Sequence, residues 1–348
     1  MKQNRAVVVE IAREFAAAAK AQGHDDAKIE EVWTLVTGFS GYAFNKAHST
    51  AYGVEAFQAA WLKCYHPAEF MAGVLTNGKG FYHPLVYVLE CHRLGLKLLP
   101  PSINEPGPAF VPHGELLRVP LTRVKGLATR TTDRLLAARE RGPFTSIADF
   151  VQRVAPSGEE IEAMIRAGAL DEFGETRTRQ FWQAQHLLKT FSTANEPGQA
   201  WLLPPPGLER LPARPLKEPT RRERLQGETE LFGFAVSGHP LELFDDVAWD
   251  TYCPVNRLGE FVGGIVTTCG LVVEQRTHHQ ITGEPMKFLS LADWTGIVET
   301  ELFAQTYKSH GLATVRYPVL EVTASVEPFE NGRGFSLRVL RAGRPRSR

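Results

Sequence analysis

Sulfur is scarce. The chain has four cysteines in 348 residues, Cys64, Cys91, Cys253 and Cys269, and no two lie within three positions of each other. That spacing excludes a zinc ribbon or a Cys-x-x-Cys redox pair, and it reads as free thiols in a reducing compartment. No apolar run reaches the roughly 18 residues a membrane-spanning helix needs. The N-terminus is charged and polar before an amphipathic stretch, so it lacks the pattern of a signal peptide, and a cytoplasmic location is expected. Charge of one sign is missing too: 39 Lys and Arg balance 39 Asp and Glu. Coating of nucleic acid by bulk positive charge is thereby excluded, while local basic patches stay open. There is no Gly-rich loop ending in Gly-Lys-Ser/Thr, no His-Glu-x-x-His and no Gly-x-Ser-x-Gly. No Asp-x-Asp pair stands ready to hold two metal ions. Asp25-Asp26, Asp245-Asp246 and His278-His279 are adjacent, and on extended backbone neighbours point to opposite faces. The histidine pair is expected in a solvated loop. No catalytic residue and no metal ligand is assigned.

What is present is the composition of an ordinary soluble globular protein, 43% hydrophobic and 22% charged, with length for two or three domains. Apolar residues at helical spacing mark Val8–Phe15 and Ile29–Val36. A long helix is expected over about Ser49–Cys64, and Pro67 and Pro84 can each open a further helix at its first turn. Gly95 and Pro100-Pro101 then stop the helical run. Residues 115–190 read as short helices, at about Thr131–Glu140, Ile147–Val154, Glu159–Ala167 and Phe181–Leu188. Seven prolines between Pro197 and Pro219 mark a linker, followed by a helix over about Arg222–Phe232. Beyond Val255 the pattern changes to strands: Val262–Val273, Phe288–Ala292, Val298–Phe303, Val319–Val326 and Phe335–Leu340. Turn signals fall at Thr282-Gly283, Thr295-Gly296 and Asn331-Gly332. Five strands with a helical insertion at Gln305–Leu312 predict an oligonucleotide/oligosaccharide-binding (OB) barrel. A generic antiparallel sandwich fragment is the competing reading.

Three places carry chemistry. Between Arg118 and Arg141 lie seven basic residues, Arg118, Arg123, Lys125, Arg130, Arg134, Arg139 and Arg141, against Asp133 and Glu140. The apolar-Lys-Gly-apolar spelling at Lys125-Gly126 before a helix suits a phosphate held by backbone amides. That is helix-hairpin-helix logic, with backbone contact and no base reading; a solvated basic face is the alternative. On the barrel, loops at about Arg276–Glu284 and Glu327–Gly334 would frame a ligand, with Arg276, Lys287, Arg333 and Arg338 able to meet phosphates. Phe329 is a candidate exposed stacking residue, whereas Phe288, Trp294, Phe303 and Phe335 are expected in the core. In the first region Asn45, Lys46, His48 and Ser49 cluster at a Gly-bounded turn feeding a helix. They either grip a triphosphate or sugar, or Ser49 simply caps the helix.

The stretch Phe39–Tyr52, followed by Trp61-Leu62-Lys63 and Tyr65–Met71, resembles the bacterial DNA polymerase III alpha subunit, the C-family replicative polymerase. The resemblance continues in order through Arg93–Asn104, Val124-Lys125-Gly126-Leu127, Gly142–Ser146, Ala167–Asp171, Glu228–Gly233, Ser237-Gly238-His239-Pro240 and Gly270–Val273. Gly80-Phe81-Tyr82 is more similar to the error-prone relative of that subunit.

The resemblance implies a multidomain α+β chain: the rear part of the polymerase fingers (1–110), a tandem helix-hairpin-helix DNA-binding module (111–195), a Pro-rich linker with a short helix (196–254), an OB-fold (255–342) and a basic tail (343–348). It places Asn45, Lys46, His48 and Ser49 in the nucleotide pocket. Arg123, Lys125, Gly126 and Arg130 would lie on duplex DNA, and the barrel would face single-stranded template. Gln199, Trp201, Leu202 and Leu203 would form a sliding-clamp peptide, though without the family's usual aromatic ending; a linker with incidental apolar residues is the alternative. By the resemblance, the family's phosphoesterase-like domain and its palm with the catalytic aspartates are expected to be missing from this chain. The expectation is therefore a portion that does not polymerise alone, binds no cofactor itself, and meets Mg²⁺ only together with a palm, which a separate chain could carry. The other function class is a non-catalytic DNA-binding module with no polymerase role.

Overall fold

The computed structural model describes residues 5–38, 46–78, 80, 82–192, 217–280, 283–329 and 334–348. The chain forms two compact units, Met1–Cys64 and Tyr65–Arg348.

The first unit is helical: α1 (Arg5–Ala21), α2 (Asp26–Gly38) and α3 (Lys46–Tyr65). Gly23, at φ 86°, closes α1, with its amide on the Lys20 carbonyl at 2.9 Å. The Asp25 carboxylate then accepts the Lys28 amide at 2.8 Å and starts α2. The hairpin packs through Phe15 and Trp33, whose rings lie 5.5 Å apart, and through buried Ile29. Little else of this unit is buried. Along α3, Tyr52, Val54, Phe57, Trp61 and Leu62 are all exposed, Phe57 at 70%.

The second unit opens with α4 (Pro67–Asn77) and α5 (Pro84–Arg93), each with proline in the first turn, where its missing N–H has no cost. Lys97–Leu99, Val111–His113 and Leu116–Arg118 form β1, β2 and β3, a small sheet in the order β1-β3-β2. Its segments fall in stretches expected to be helical or irregular. The strands are three residues long, too short for a period-2 pattern to register. Met71, Leu75, Val88, Cys91, Leu98 and Leu117 form the core beneath.

Next come α6 (Thr129–Glu140), α7 (Ile147–Val154), α8 (Gly158–Ala167) and α9 (Arg177–Ser192). In α7, Ile147, Phe150, Val151 and Val154 are buried, an i, i+3, i+4, i+7 stripe that faces the core. They join Leu121, Leu135, Ile161, Met164, Leu170 and Leu187. Full burial contributes about 1.5–3 kcal/mol per large apolar side chain, so this layer holds itself together. Then α10 (Arg221–Phe232) starts with a Thr220–Glu223 capping box and ends at Gly233. Its Leu231 carbonyl accepts the Lys125 amide at 3.1 Å. Buried Glu228 turns the chain back by taking the Val236 and Ser237 amides, both at 2.8 Å.

The remaining elements are β4 (Ile265–His279), β5 (Pro285–Ala292), β6 (Ile297–Leu302), α11 (Ala304–His310), α12 (Ala313–Arg316), β7 (Val319–Pro328) and β8 (Phe335–Gly343). The strands close into a barrel ordered β4-β5-β6-β8-β7. Every pairing is antiparallel except β6 with β8. This is the expected OB-type barrel with its helical insertion, not a sandwich fragment. In β4, a side chain at Gly270 would come within 2.8 Å of the Leu291 Cβ, so glycine permits the close crossing. Two details differ from the sequence reading. Residues 255–261 form a 3-10 segment, so the first barrel strand begins at Ile265. His278 and His279 lie at the end of that strand, not in a loop. No described helix is long and apolar enough to cross a membrane.

Candidate nucleic-acid interface

Gly126 holds φ 90° between the 3-10 turn Leu121–Arg123 and α6. Lys125, Gly126, Thr129 and Arg130 are exposed around this corner. No side chain at the N-cap position caps α6. The Ala128 amide is taken at 3.1 Å by Glu160, and the amides of Thr131 and Thr132 reach back to the Ala128 carbonyl. The first-turn amides of Thr129 and Arg130 have no acceptor inside the helix. They lie at its positive end, beside two exposed cations, Lys125 and Arg130, an arrangement able to receive a phosphate.

The second hairpin of the module differs. Ser157 and Glu160 close the start of α8 with a capping box. Glu160 is nearly buried, and its carboxylate is shared between Ala128 of the first hairpin and Ser157 of the second. Burial raises the cost of its charge. Hydrogen bonds from Ser157, Thr131 and Ala128 outweigh that and hold its pKa below the usual carboxylate value.

Several of the seven basic residues are spent internally. Arg118 pairs with Glu105 at 3.0 Å, Arg134 donates to Thr131, and Arg139 donates to the Asn104 carbonyl. Arg123, expected on DNA, donates to the Leu75 carbonyl at 2.6 Å and stands over the Phe110 ring. It fastens α4 to the hairpin and is half-buried there. Lys125, Arg130 and Arg141 remain exposed.

On the barrel, Arg276 is exposed on β4, over the ring of Phe288, its register partner on β5. Lys287, expected to meet phosphate, is turned inward. It is 5% exposed and donates to Thr314 Oγ1 at 2.8 Å, while burial lowers its pKa. A lysine turned inward under α12 meets no phosphate. Arg338 is exposed, over Phe303, and Phe329 is 45% exposed. Trp294, expected in the core, is exposed instead. It sits in a turn where the Asp293 carboxylate takes the amides of Thr295 and Gly296. The Asp-x-Thr-Gly spelling carried that signal.

In the first unit, His48 and Ser49 lie exposed on the first turn of α3, with the His48 ring edge-on to Tyr52 at 4.4 Å. Lys46 begins the helix. Asn45, Arg333 and the clamp candidates Gln199, Trp201, Leu202 and Leu203 lie outside the described residues. Among the described residues, no group of three or more His, Cys, Asp or Glu is placed to hold a metal ion.

A family model described as a helix-hairpin-helix motif matches residues 95–180, which takes in both hairpins. The DNA polymerase III subunit alpha of Thermus aquaticus is 31% identical over 94% of this chain. The chain belongs to the DNA polymerase III alpha-subunit family. The Campylobacter jejuni alpha subunit is 36% identical over 66% of the chain, and the Mycobacterium tuberculosis one is 31% identical over 93%. The chain spans only 27%, 20% and 29% of those three relatives' own lengths. Within this member of the alpha-subunit family, the features that the sequence reading did not find are the shared Glu160 carboxylate and the exposed Trp294.

Proposed function

We propose that this chain supplies the DNA-gripping surface and part of the nucleotide pocket of an alpha-type DNA polymerase. The observation that carries this reading is the similarity to alpha subunits over 94% of the chain. The open amides and exposed cations at Lys125–Arg130 support it, because phosphate contact without base reading is what a polymerase needs behind a moving primer end. In this reading Lys125, Gly126 and Arg130 hold duplex phosphates, and Arg276 with the barrel loops meets single-stranded template. Asn45, Lys46, His48 and Ser49 line the nucleotide side of the fingers. Gln199, Trp201, Leu202 and Leu203 form a sliding-clamp peptide. Nucleotidyl transfer, with its Mg²⁺, belongs to a palm outside these 348 residues. The exposed apolar face of α3 is the surface such a body would cover, since a patch of this kind marks an interaction site. The setting is the cytoplasm, in replication or error-prone repair.

The test is duplex binding as a function of salt, with primer extension on the same preparation. Each phosphate contact adds roughly 0.9 to the log–log slope. Lys125→Ala with Arg130→Ala is expected to flatten it by about one to two units, evenly across sequences. The chain alone is expected to extend no primer, and to do so when mixed with a palm-bearing chain. An unchanged slope in the double variant removes the hairpin from the interface. Duplex binding without any extension in the mixture leaves a DNA-binding module.

A further inference from the structure

A second aromatic and basic site lies away from the hairpins and from the barrel loops already considered. A cleft of about 390 Å³ opens between the start of α10, the 3-10 segment Pro240–Phe244 and the Asp293–Gly296 turn of the barrel, with Arg221, Arg222, Leu241, Trp249, Trp294 and Arg348 among its walls. Both indoles are held in place. Trp294 lies stacked on the His239 ring, with centroids 4.5 Å apart and planes 25° apart, and is still 47% exposed. Trp249 donates its Nε1–H to the Phe244 carbonyl at 3.0 Å. Fixed aromatic faces lose little conformational freedom when something stacks on them.

Three guanidiniums, Arg221, Arg222 and Arg348, line the cleft together with two carboxylates, Glu242 and Asp245. Arg221 is paired with Glu242 at 2.9 Å and Arg222 with Asp245 at 2.7 Å. The Arg222–Asp245 pair is well exposed, and such pairs contribute little, so the Arg222 guanidinium can turn to a phosphate; Arg221 is held by two bonds to Glu242 and keeps only its remaining N–H for one. Arg348 also lines the cleft, with its amide on the Asp246 carbonyl at 2.9 Å. Gly238 belongs to this construction. A side chain there would fall 2.3 Å from the Arg221 guanidinium and 2.5 Å from the Glu242 carboxylate, and the two side-chain ends would have to shift to admit it.

We propose that the Trp249–Trp294 cleft binds an unpaired nucleobase of single-stranded DNA, stacked on Trp294, with its phosphate on Arg221, Arg222 or Arg348. The inference rests on the DNA-binding reading above, but it adds a site that the hairpin and the loops at 276–284 and 327–334 do not supply. Sequence readout is absent, because every base offers a stacking face. A peptide ligand is disfavoured, since the cleft offers guanidiniums and ring faces where an extended chain needs a row of backbone partners.

The experiment uses the full chain and a short oligothymidylate whose thymines are replaced by 5-iodouracil, for photocrosslinking and for anisotropy. Crosslinks are expected at Trp294 or Trp249. Trp294→Ala is expected to weaken binding by about five- to tenfold, with Trp294→Phe recovering most of it. Duplex affinity is expected to be unchanged by both. Circular dichroism confirms that each variant is folded, and Trp294→Phe keeps the packing on His239 should the alanine variant fail. Crosslinks confined to the 276–284 and 327–334 loops, or parental affinity in both variants, overturn the proposal. So does absence of oligothymidylate binding. In that case retained duplex binding shows that only the cleft has failed, and loss of duplex binding as well shows that the DNA-binding reading fails with it. Displacement of the oligonucleotide by the free carboxylate-terminated peptides of a proteolytic digest, without crosslinks to either indole, would assign the cleft to peptide and also overturn the proposal.

Discussion

The Glu160 carboxylate accepts the Ala128 amide at 3.1 Å, so one side chain at the start of α8 also finishes the start of α6. With its other oxygen it holds the Ser157 amide at 2.8 Å. The two hairpins therefore share an acceptor, and neither is fully capped without it.

Replacing Glu160 with Ala should leave both amides without their acceptor at a part-buried corner. Each unmet buried donor costs about 1–3 kcal/mol. We expect a loss of roughly 2–4 kcal/mol in urea unfolding, whereas Glu162→Ala on the same helix should stay within about 0.5 kcal/mol. Equal effects of the two substitutions would mean that Glu160 is no shared cap.

Lys287→Met should leave oligonucleotide and duplex affinity at the parental level. The buried ammonium has a neutral partner, Thr314, lies 5.9 Å from the Tyr307 ring centroid, and is held below its ordinary pKa by burial. An apolar side chain of similar volume is expected to cost less than about 1.5 kcal/mol or to stabilise. Weaker DNA binding by this variant would return Lys287 to the interface.

His239 sets an acid limb. Burial, and then the nearby His92, press its pKa from 6.5 down to about 4, while Glu242 works in the opposite direction. The unfolded chain thus takes up a proton near pH 6.5 that the folded chain refuses until about pH 4. The contribution to stability is present above 6.5 and is lost as pH falls toward 4. Melting temperatures across that window should fall in the parent. They should fall less in His239→Asn, which keeps a side-chain acceptor for the Leu241 amide.

Changing Leu202 and Leu203 to Ala should abolish capture by a sliding clamp and leave the melting temperature where it was, because a few apolar anchors carry most of the affinity of a short peptide. A melting temperature lowered by several degrees would make these leucines structural.

Much of the fold was legible because its signals are local. Pro67 and Pro84 announce helices that do begin there. The alternation along Val319–Val326 reads out as a half-buried strand, with Leu320, Val322, Ala324 and Val326 inside. What was not legible depends on partners distant in sequence. The β1–β3 pairing joins Lys97–Leu99 to Leu116–Arg118, and nothing in either triplet announces the other. Arg123 and Lys287 read as cations for phosphate because sequence gives charge and not direction. The Leu75 carbonyl and Thr314 hydroxyl that claim them are 48 and 27 residues away. Trp294 was misread for the opposite reason, since an aromatic between strands was assumed to point inward while the Asp293 carboxylate folds its neighbours into a turn.

The Lys125 amide on the Leu231 carbonyl gives the hairpin a mechanical anchor. Through it the corner at Lys125 is tied to the last turn of α10. From α10 the chain continues through the Glu228-braced corner at Val236 to His239, and His239 bears on the barrel turn through Trp294. The hairpin corner and the barrel turn are thus the two ends of one short run of chain, Leu231 to His239, tied down at both.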